Sequence, residues 1–174
     1  NDTYQFGFKK NCRTTDNLFL LQIIIEKQKF KQQPVYVCFV DFTKAFDYIN
    51  RQALFYKLVR RGVQGNFLHV LINLFQKANC KVQWQGEISE KIDSLFGVLQ
   101  GGIISPKLFT EYLSDLSDYL SKTSGIRIDD VFLYYLLYAN DLVLCSDSPV
   151  GLQLQIDGLF EFCKDRSEER RVGK

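Results

Sequence analysis

The stretch YYLLYANDLVLCS, from Tyr134 to Ser146, is an apolar run that two polar residues, Asn140 and Asp141, interrupt. The apolar residues on both sides predict two strands. The Asn-Asp pair predicts a tight turn between them, because both residues tolerate left-handed backbone angles. This stretch alone leaves two interpretations open. Either the residues serve only to form the hairpin turn, or the turn holds a carboxylate at the end of a buried hairpin, where it binds a metal ion.

A second carboxylate in a comparable setting is Asp41, in the segment VYVCFVDFTKAFDYINR (residues 35–51). The continuous apolar and β-branched run Val35–Val40 predicts a strand buried on both faces, and Asp41 follows its end. Carboxylates at the ends of adjacent central strands can share divalent cations, and phosphoryl transfer at two Mg²⁺ ions uses that arrangement. We therefore expect Asp41 and Asp141 to lie together at one end of a sheet.

The remaining periodicity predicts helices and one further hairpin, so the expected fold class is α/β of the α+β type, a small antiparallel sheet backed by helices. The first expected helix runs from a cap at Thr14, Thr15 or Asp16 to about Phe30, with Leu18, Leu21 and Ile25 at helical spacing. A helix capped by Asn50 and ending at Arg61, a helix over 66–77 and a hairpin around Gly86 follow. The last two are a helix that is opened by Ser105 and Pro106 and continues to Leu116, and a helix over 150–163.

Composition narrows the function classes. The 174 residues fit one domain, and the longest apolar run, residues 131–139, is far shorter than the roughly 20 residues that span a bilayer, so we expect an intracellular protein without a membrane partner. The five cysteines are scattered and His69 is the single histidine, which gives no support to disulfide scaffolds, zinc sites or histidine-dependent triads. The net charge of +2 is too small to indicate a nucleic-acid binder, and the locally basic first third of the chain is only a weak indication. Catalysis is therefore expected to rest on carboxylates.

Over residues 4 to about 163 the chain resembles the reverse transcriptase domain of a non-LTR (LINE-type) retrotransposon. The segments that carry the resemblance, in order, are YQFGFKKNCRTTDNLF, VDFTKAFDYINR, GVLQGGIISPKLFTEYLSDL and LLYANDLVL. The resemblance implies a polymerase palm at residues 35–163 with part of the fingers at residues 1–34. The stretch RSEERRVGK, residues 166–174, resembles no part of the family. We expect residues 164–174 to be a charged tail that includes this foreign stretch.

The resemblance also implies an activity and its residues. The activity is RNA-directed DNA polymerisation with two Mg²⁺ ions, an RNA template, a DNA primer and deoxynucleoside triphosphates; the oligomeric state and the cell compartment, nucleus or cytoplasm, stay open. Asp41, Asp141 and the backbone carbonyl of Phe42 would hold the metal ions. Phe46 falls where the family has an aromatic gate against the ribose 2′-hydroxyl, although a core phenylalanine is the alternative. Gln100 and Gly101 would contact the incoming nucleotide and the neighbouring backbone.

Asn140 departs from the family, which has a second aspartate at this position of the catalytic hairpin. An amide keeps the turn but removes a negative charge beside the cations, and a unit-charge pair at about 4 Å is worth roughly 4 kcal/mol at an effective dielectric near 20. We therefore expect impaired catalysis, in a chain that is a piece of a longer protein. A non-catalytic relic or weak nucleic-acid-binding fragment is the alternative, and a nucleotide cyclase on the same palm is a third. Asp47 is expected to cap a helix or lie at the surface.

Overall fold

The computed structural model describes residues 4–129 and 131–172, with side chains as far as residue 166. These residues form two compact units: residues 4–43 and 113–172 make the first unit, and residues 44–112 make the second. Each unit contains one of the two groups of predicted site residues. The boundary between fingers and palm at residues 34 and 35 stays a prediction of the sequence.

The elements are mixed helix and strand, as the sequence predicts. In chain order they are α1 (Thr14–Phe30), β1 (Tyr36–Asp41), α2 (Arg51–Arg60), α3 (Gly65–Gln76), β2 (Asn79–Cys80), β3 (Gln83–Trp84), β4 (Glu87–Ile88), β5 (Ile92–Asp93), α4 (Ser105–Tyr112), α5 (Leu116–Leu120), β6 (Ile126–Ile128), β7 (Val131–Leu133), β8 (Tyr135–Tyr138), β9 (Asp141–Ser146) and α6 (Pro149–Val172).

The central feature of the first unit is a three-stranded antiparallel sheet in the order β1-β9-β8. On the far side of β8 the chain start pairs with the sheet: the Phe6 N–H donates to the Leu137 carbonyl at 2.8 Å, and the Leu137 N–H donates to the Tyr4 carbonyl at 3.0 Å. Within the described residues β1 therefore lies at the sheet edge. The prediction that β1 is buried on both faces is wrong, because an edge strand leaves side chains such as Phe39 exposed (71%).

Helices cover both faces of this sheet. On one face α1 and β6 pack against β8 and β9, with Ile24, Ile126, Leu136 and Cys145 forming a fully buried cluster. On the other face α6 packs against β9 and β1. There Gln155 donates its side-chain amide to the Cys145 carbonyl at 2.8 Å. Because residues alternate along a strand, Asp141 lies on the same face of β9 as Cys145, which is the α1 side.

Helix α1 ends at Phe30 as predicted, but it begins at Thr14, earlier than the predicted caps allow, and its buried face differs from the prediction. The cap residue is Arg13, and its N–H donates to the Asp16 carboxylate at 2.7 Å. Ile24 is fully buried, whereas Leu18 is 64% exposed. The sequence of α1 has apolar residues on every side of the helix, so spacing alone does not decide which side meets the sheet.

Two other predicted helices end at different residues. The helix predicted to run from Ser105 through Leu116 is divided into α4, which ends at Tyr112, and α5. The helix predicted to stop at residue 163 continues as α6 to Val172, because its charged residues are good helix formers and Arg166 forms an ion pair with Asp115. Among the described residues, no helix combines the length and the apolar character needed to cross a bilayer.

The structure of the second unit agrees more closely with the predictions from the sequence. Asn50 caps α2, as predicted, by accepting hydrogen bonds from the Gln52 and Ala53 N–H groups at 3.0 and 3.2 Å. The predicted hairpin is formed by β3 and β4, and its turn residues Gln85 and Gly86 both have positive φ, at 48° and 88°. Two consecutive residues of this kind make the turn that matches the twist of paired strands.

Candidate active site

The structure brings Asp41 and Asp141 together at one end of the three-stranded sheet. Asp41 is the last residue of β1, Asp141 is the first residue of β9, and the two are direct partners in the antiparallel register. Directly opposed residues point to the same face, with Cβ atoms about 4.5 to 5.5 Å apart. Both side chains are exposed. The two carboxylates can therefore reach one shared ligand.

The turn that carries Asp141 begins one residue earlier than the sequence predicts. Tyr138 pairs with Asp141, so the turn residues are Ala139 and Asn140, and Asp141 is a strand residue. Ala139 takes the left-handed conformation, with φ of 54°. A residue with a Cβ atom adopts that region at a cost of roughly 1 to 2 kcal/mol. Asp141 instead pairs with Asp41 on one side and Tyr138 on the other. Strand pairing therefore prevails over the local preference of Asp141 for a turn.

Asn140 is attached to the end of β1 in two ways. Its side-chain Nδ2 donates to Asp41 Oδ1 at 2.7 Å, and its carbonyl accepts a hydrogen bond from the Phe42 N–H at 3.1 Å. The amide thus contributes a donor where a carboxylate would contribute a second negative charge. In this chain one lone pair of Asp41 is already occupied by a neutral neighbour.

Both carboxylates line a cleft of about 470 Å³ between the first turns of α1 and the sheet. The other lining residues are mainly apolar and come from α1, β1, β8 and β9: Thr14, Asn17, Leu18, Phe39, Val40, Leu136, Tyr138, Leu142 and Val143. A volume of this size falls within the range of small-ligand sites. The carboxylates are therefore placed where a bound ligand would meet them.

The residues present fit a divalent metal ion of the Mg²⁺ kind. Mg²⁺ prefers oxygen ligands and is commonly held by one or two carboxylates that share it with waters and substrate phosphates. Asp41 and Asp141 supply two such carboxylates, and Phe42 follows Asp41 with a backbone carbonyl. Across residues 4–129 and 131–172, no three His, Cys, Asp or Glu side chains form a potential metal cluster. The described residues therefore fit an ion that takes its remaining ligands from substrate and water, and not an ion that the protein alone encloses.

The other predicted site residues, Phe46, Gln100 and Gly101, belong to the second unit. The Phe46 ring is half-buried and stacks on Phe109, with 4.8 Å between centroids and 24° between planes. Gln100 is exposed, and its Nε2 donates to Asp47 Oδ1 at 2.9 Å. Gly101 has φ of 79°, which a side chain rarely permits. Asp47 lies at the surface, as expected, but it also holds Gln100, which the sequence reasoning missed.

Arg51 is a second residue that the sequence reasoning missed. It is 8% exposed and donates hydrogen bonds to the carbonyls of Gly97, Phe75 and Phe96 at 2.7, 2.7 and 2.8 Å. Burial lowers the pKa of its guanidinium. Arg51 thereby fixes the segment that leads into Gln100. No local sequence pattern indicates the distant carbonyls that Arg51 meets.

The segment that leads into Gln100 also packs closely against the backbone of Phe46 and Asp47. The Val98 N–H donates to the Phe46 carbonyl at 2.8 Å. A Cβ atom at Gly97 would lie 2.7 Å from the carbonyl oxygens of both Phe46 and Asp47. Only glycine permits that approach, so the two predicted substrate-contacting segments of the second unit form one rigid surface.

The sequence is similar to that of known reverse transcriptases. The model of the family described as reverse transcriptase (RNA-dependent DNA polymerase) matches residues 1–169. Similar proteins include the Pol polyprotein of the retrotransposable element R2DM from Drosophila melanogaster, 25% identical over 92% of this chain, and that of an R2 element from Popillia japonica, 28% identical over 93%. The RNA-directed DNA polymerase of the mobile element jockey from Drosophila melanogaster is 24% identical over 93%. This chain spans 15%, 23% and 18% of those three proteins.

A solved structure has the same fold. Apo telomerase from Candida tropicalis, truncated from its C-terminal domain, superposes with a TM-score of 0.58 at 14% identity, over 89% of this chain and 32% of that one. At this identity the likeness concerns the fold alone. It confirms the predicted α+β polymerase palm.

Proposed function

The chain belongs to the reverse transcriptase family, in its non-LTR retrotransposon branch, and we propose that it is the part of a longer polymerase in which Asp41 and Asp141 form the nucleotidyl-transfer site. The observation that carries this proposal is the register that makes the two aspartates direct partners at the end of the sheet. The reaction extends a DNA primer on an RNA template with deoxynucleoside triphosphates, inside the cell.

Asp41, Asp141 and the Phe42 carbonyl are the groups that would hold the divalent metal ions on which the family depends. When bound, Mg²⁺ supplies activation of the primer 3′-hydroxyl and stabilisation of the departing pyrophosphate. The protein's own contribution is positioning. The β1–β9 ladder fixes the two carboxylates, and the Phe42–Asn140 backbone hydrogen bond fixes the end of β1 against the turn.

The second unit supplies the nucleotide-contacting surface in this proposal. Gln100 and Gly101 contact the incoming nucleotide, and the exposed edge of Phe46 excludes a ribose 2′-hydroxyl. Stacking on Phe109 supports the gate, because a ring with a fixed plane discriminates by shape better than a mobile one. The same stacking also serves core packing, so the two interpretations of Phe46 are compatible: one face of the ring packs on Phe109, and the half-buried side chain keeps an exposed part for the ribose.

Asn140 weakens the site in two respects. It lacks the negative charge that the family has at this position, and its amide occupies Asp41 Oδ1, an oxygen that would otherwise be open to a cation. This hydrogen bond also favours a second candidate function, that of a folded relic with weak and salt-sensitive nucleic-acid binding. Such binding is governed by phosphate contacts and not by base sequence.

The test is primer extension by a completed polymerase in which residues 1–169 replace the matching segment of the R2DM protein. We expect slow extension on an RNA template, a gain of at least about tenfold with Asn140→Asp, and loss of extension with Asp41→Asn. Asp157→Asn, which changes an exposed aspartate of α6 paired with Gln153, is the matched control. Extension that survives Asp41→Asn would disprove the catalytic assignment. Extension that is equally fast before and after Asn140→Asp would show that the amide oxygen suffices and that Asn140 does not impair the site.

A further inference from the structure

Gln5 is a buried amide whose polar atoms meet the turn between β8 and β9. Its side chain is 1% exposed. Its Oε1 accepts hydrogen bonds from the Gly7 N–H at 2.7 Å and the Ala139 N–H at 3.2 Å. Its Nε2 donates to the Ala139 carbonyl at 3.4 Å. One side chain thus contacts both polar backbone groups of Ala139.

The turn residue that Gln5 contacts is the strained one. Ala139 has φ of 54°, a conformation that hairpin turns normally assign to glycine or asparagine. Such a conformation persists where the surrounding structure fixes it from several directions. Within the described residues, the side-chain hydrogen bonds that reach the Ala139 backbone come from Gln5.

The chain start is shaped to bring Gln5 to this place. Tyr4 and Phe6 are hydrogen-bonded to Leu137 of β8, which sets residues 4–6 alongside the hairpin. Gly7 then passes so near the turn that a Cβ atom there would lie 2.2 Å from the Ala139 nitrogen. The absence of a side chain at Gly7 therefore permits the approach that the Gln5 hydrogen bonds require.

We propose that Gln5 is a positioning residue for the candidate active site. By fixing Ala139 it fixes the next residue, Asn140, whose carbonyl accepts from Phe42 and whose amide donates to Asp41. It also fixes the first residue of β9, Asp141. The proposal rests on the proposed function insofar as the turn carries a metal-binding carboxylate. The positioning itself is a statement about the geometry of the turn and is tested separately.

The first test is backbone amide hydrogen exchange in the 174-residue chain. In Gln5→Leu, which keeps most of the volume and removes the hydrogen bonds, we expect exchange at the Phe42 amide to rise by at least about tenfold while the Cys145 amide changes by less than about twofold. The Phe42 N–H donates to the Asn140 carbonyl and therefore reports the position of Asn140. Cys145 donates to Tyr134 in the same β8–β9 ladder, at 3.1 Å, and reports the sheet. Gln22→Leu, on the exposed face of α1, is the matched control.

The second test is paramagnetic broadening by Mn²⁺, used as the probe for Mg²⁺. We expect the apparent dissociation constant at the turn to rise by about tenfold or more in Gln5→Leu and to stay unchanged in Gln22→Leu. If the unaltered chain shows no localised broadening, the metal site of the proposed function is wrong, while exchange at Phe42 still decides the positioning. If exchange at Phe42 is unaltered in Gln5→Leu, the positioning is wrong whatever the metal does.

A third variant covers the case in which Gln5→Leu does not fold. Gln5→Glu keeps an acceptor for the Gly7 and Ala139 amides. It replaces the donor to the Ala139 carbonyl with a carboxyl oxygen and places an ionisable group where burial disfavours the charged form. We expect exchange at Phe42 to rise by about threefold, between the unaltered chain and Gln5→Leu. Exchange equal to that of the unaltered chain, or an equal rise at Phe42 and Cys145, would overturn the proposal.

Discussion

Asn140→Asp should make the stability of the first unit depend on divalent cations. The variant replaces the donor that lies 2.7 Å from Asp41 Oδ1 with a carboxylate, so a hydrogen bond becomes a like-charge contact. A hydrogen bond to a charged group is worth about 1.5 to 3 kcal/mol. A like-charge pair at about 4 Å costs about 1 kcal/mol in water and up to about 4 kcal/mol near a protein surface. Because Asp41 is exposed, the low end of each range applies, and we expect a loss of about 2.5 kcal/mol.

Mg²⁺ should reverse that loss in the variant more than it stabilises the unaltered chain. A ligand that binds only the folded state stabilises it by about 2.7 kcal/mol at a concentration of one hundred times its dissociation constant. Asn140→Asp adds a third carboxylate to the site and frees Asp41 Oδ1. We therefore expect millimolar Mg²⁺ to raise the denaturation midpoint of the variant clearly and that of the unaltered chain only slightly.

The assay is urea denaturation followed by circular dichroism, in a chelator and in MgCl₂, with NaCl added to equal ionic strength so that general screening is matched. Asn140→Ala separates the two causes, because it removes the hydrogen bond without adding a charge, and it should show no Mg²⁺ response beyond that of the unaltered chain. The reasoning is refuted if Asn140→Asp is as stable as the unaltered chain in the chelator, or if Mg²⁺ stabilises both equally.

Three further predictions concern other residues. Arg51→Lys should lower the free energy of unfolding by about 2 to 4 kcal/mol, since it leaves several buried carbonyls without donors; an effect no larger than that of the exposed control Arg60→Lys in urea denaturation would contradict this. Burial raises the pKa of the Cys145 thiol to about 12, so iodoacetamide at pH 8 should alkylate exposed Cys80 and leave Cys145 intact until the protein unfolds, as mass spectrometry can show; equal rates would refute the packing of the sheet. In the completed polymerase, Phe46→Val should raise ribonucleotide incorporation relative to deoxynucleotides by at least about tenfold; an unchanged ratio would assign Phe46 to packing alone.

Local sequence signals were sufficient where the structure depends on neighbours along the chain. The end of α1 at Phe30, the Asn50 cap and the turn at Gly86 follow from periodicity, cap residues and turn residues a few positions apart. The two apolar runs predict the strands at whose ends Asp41 and Asp141 lie. That these strands are partners in register was an expectation from chemistry, because spacing along the chain does not determine it.

Features that depend on distant residues could not be predicted in this way. The turn shifts to Ala139 against the local preference of Asn140 and Asp141, and the residue that holds it, Gln5, is 134 positions away. The exposure of β1 follows from its place at the sheet edge, which its own sequence does not show. Arg51 meets carbonyls from α3 and from the segment before Gln100, so its burial is visible only after those elements have packed together.

Mn²⁺ broadening of backbone amide signals decides whether Asp41 and Asp141 form one metal-binding site. In the unaltered chain we expect broadening confined to residues near 41–42 and 140–142, lost in Asp41→Asn and in Asp141→Asn, and unchanged in the control Asp157→Asn. Asn140→Asp should tighten binding by about tenfold, since a unit charge beside a divalent ion contributes more than a neutral amide. Broadening spread evenly over the exposed carboxylates, or equal in Asp41→Asn and Asp157→Asn, would contradict the claim.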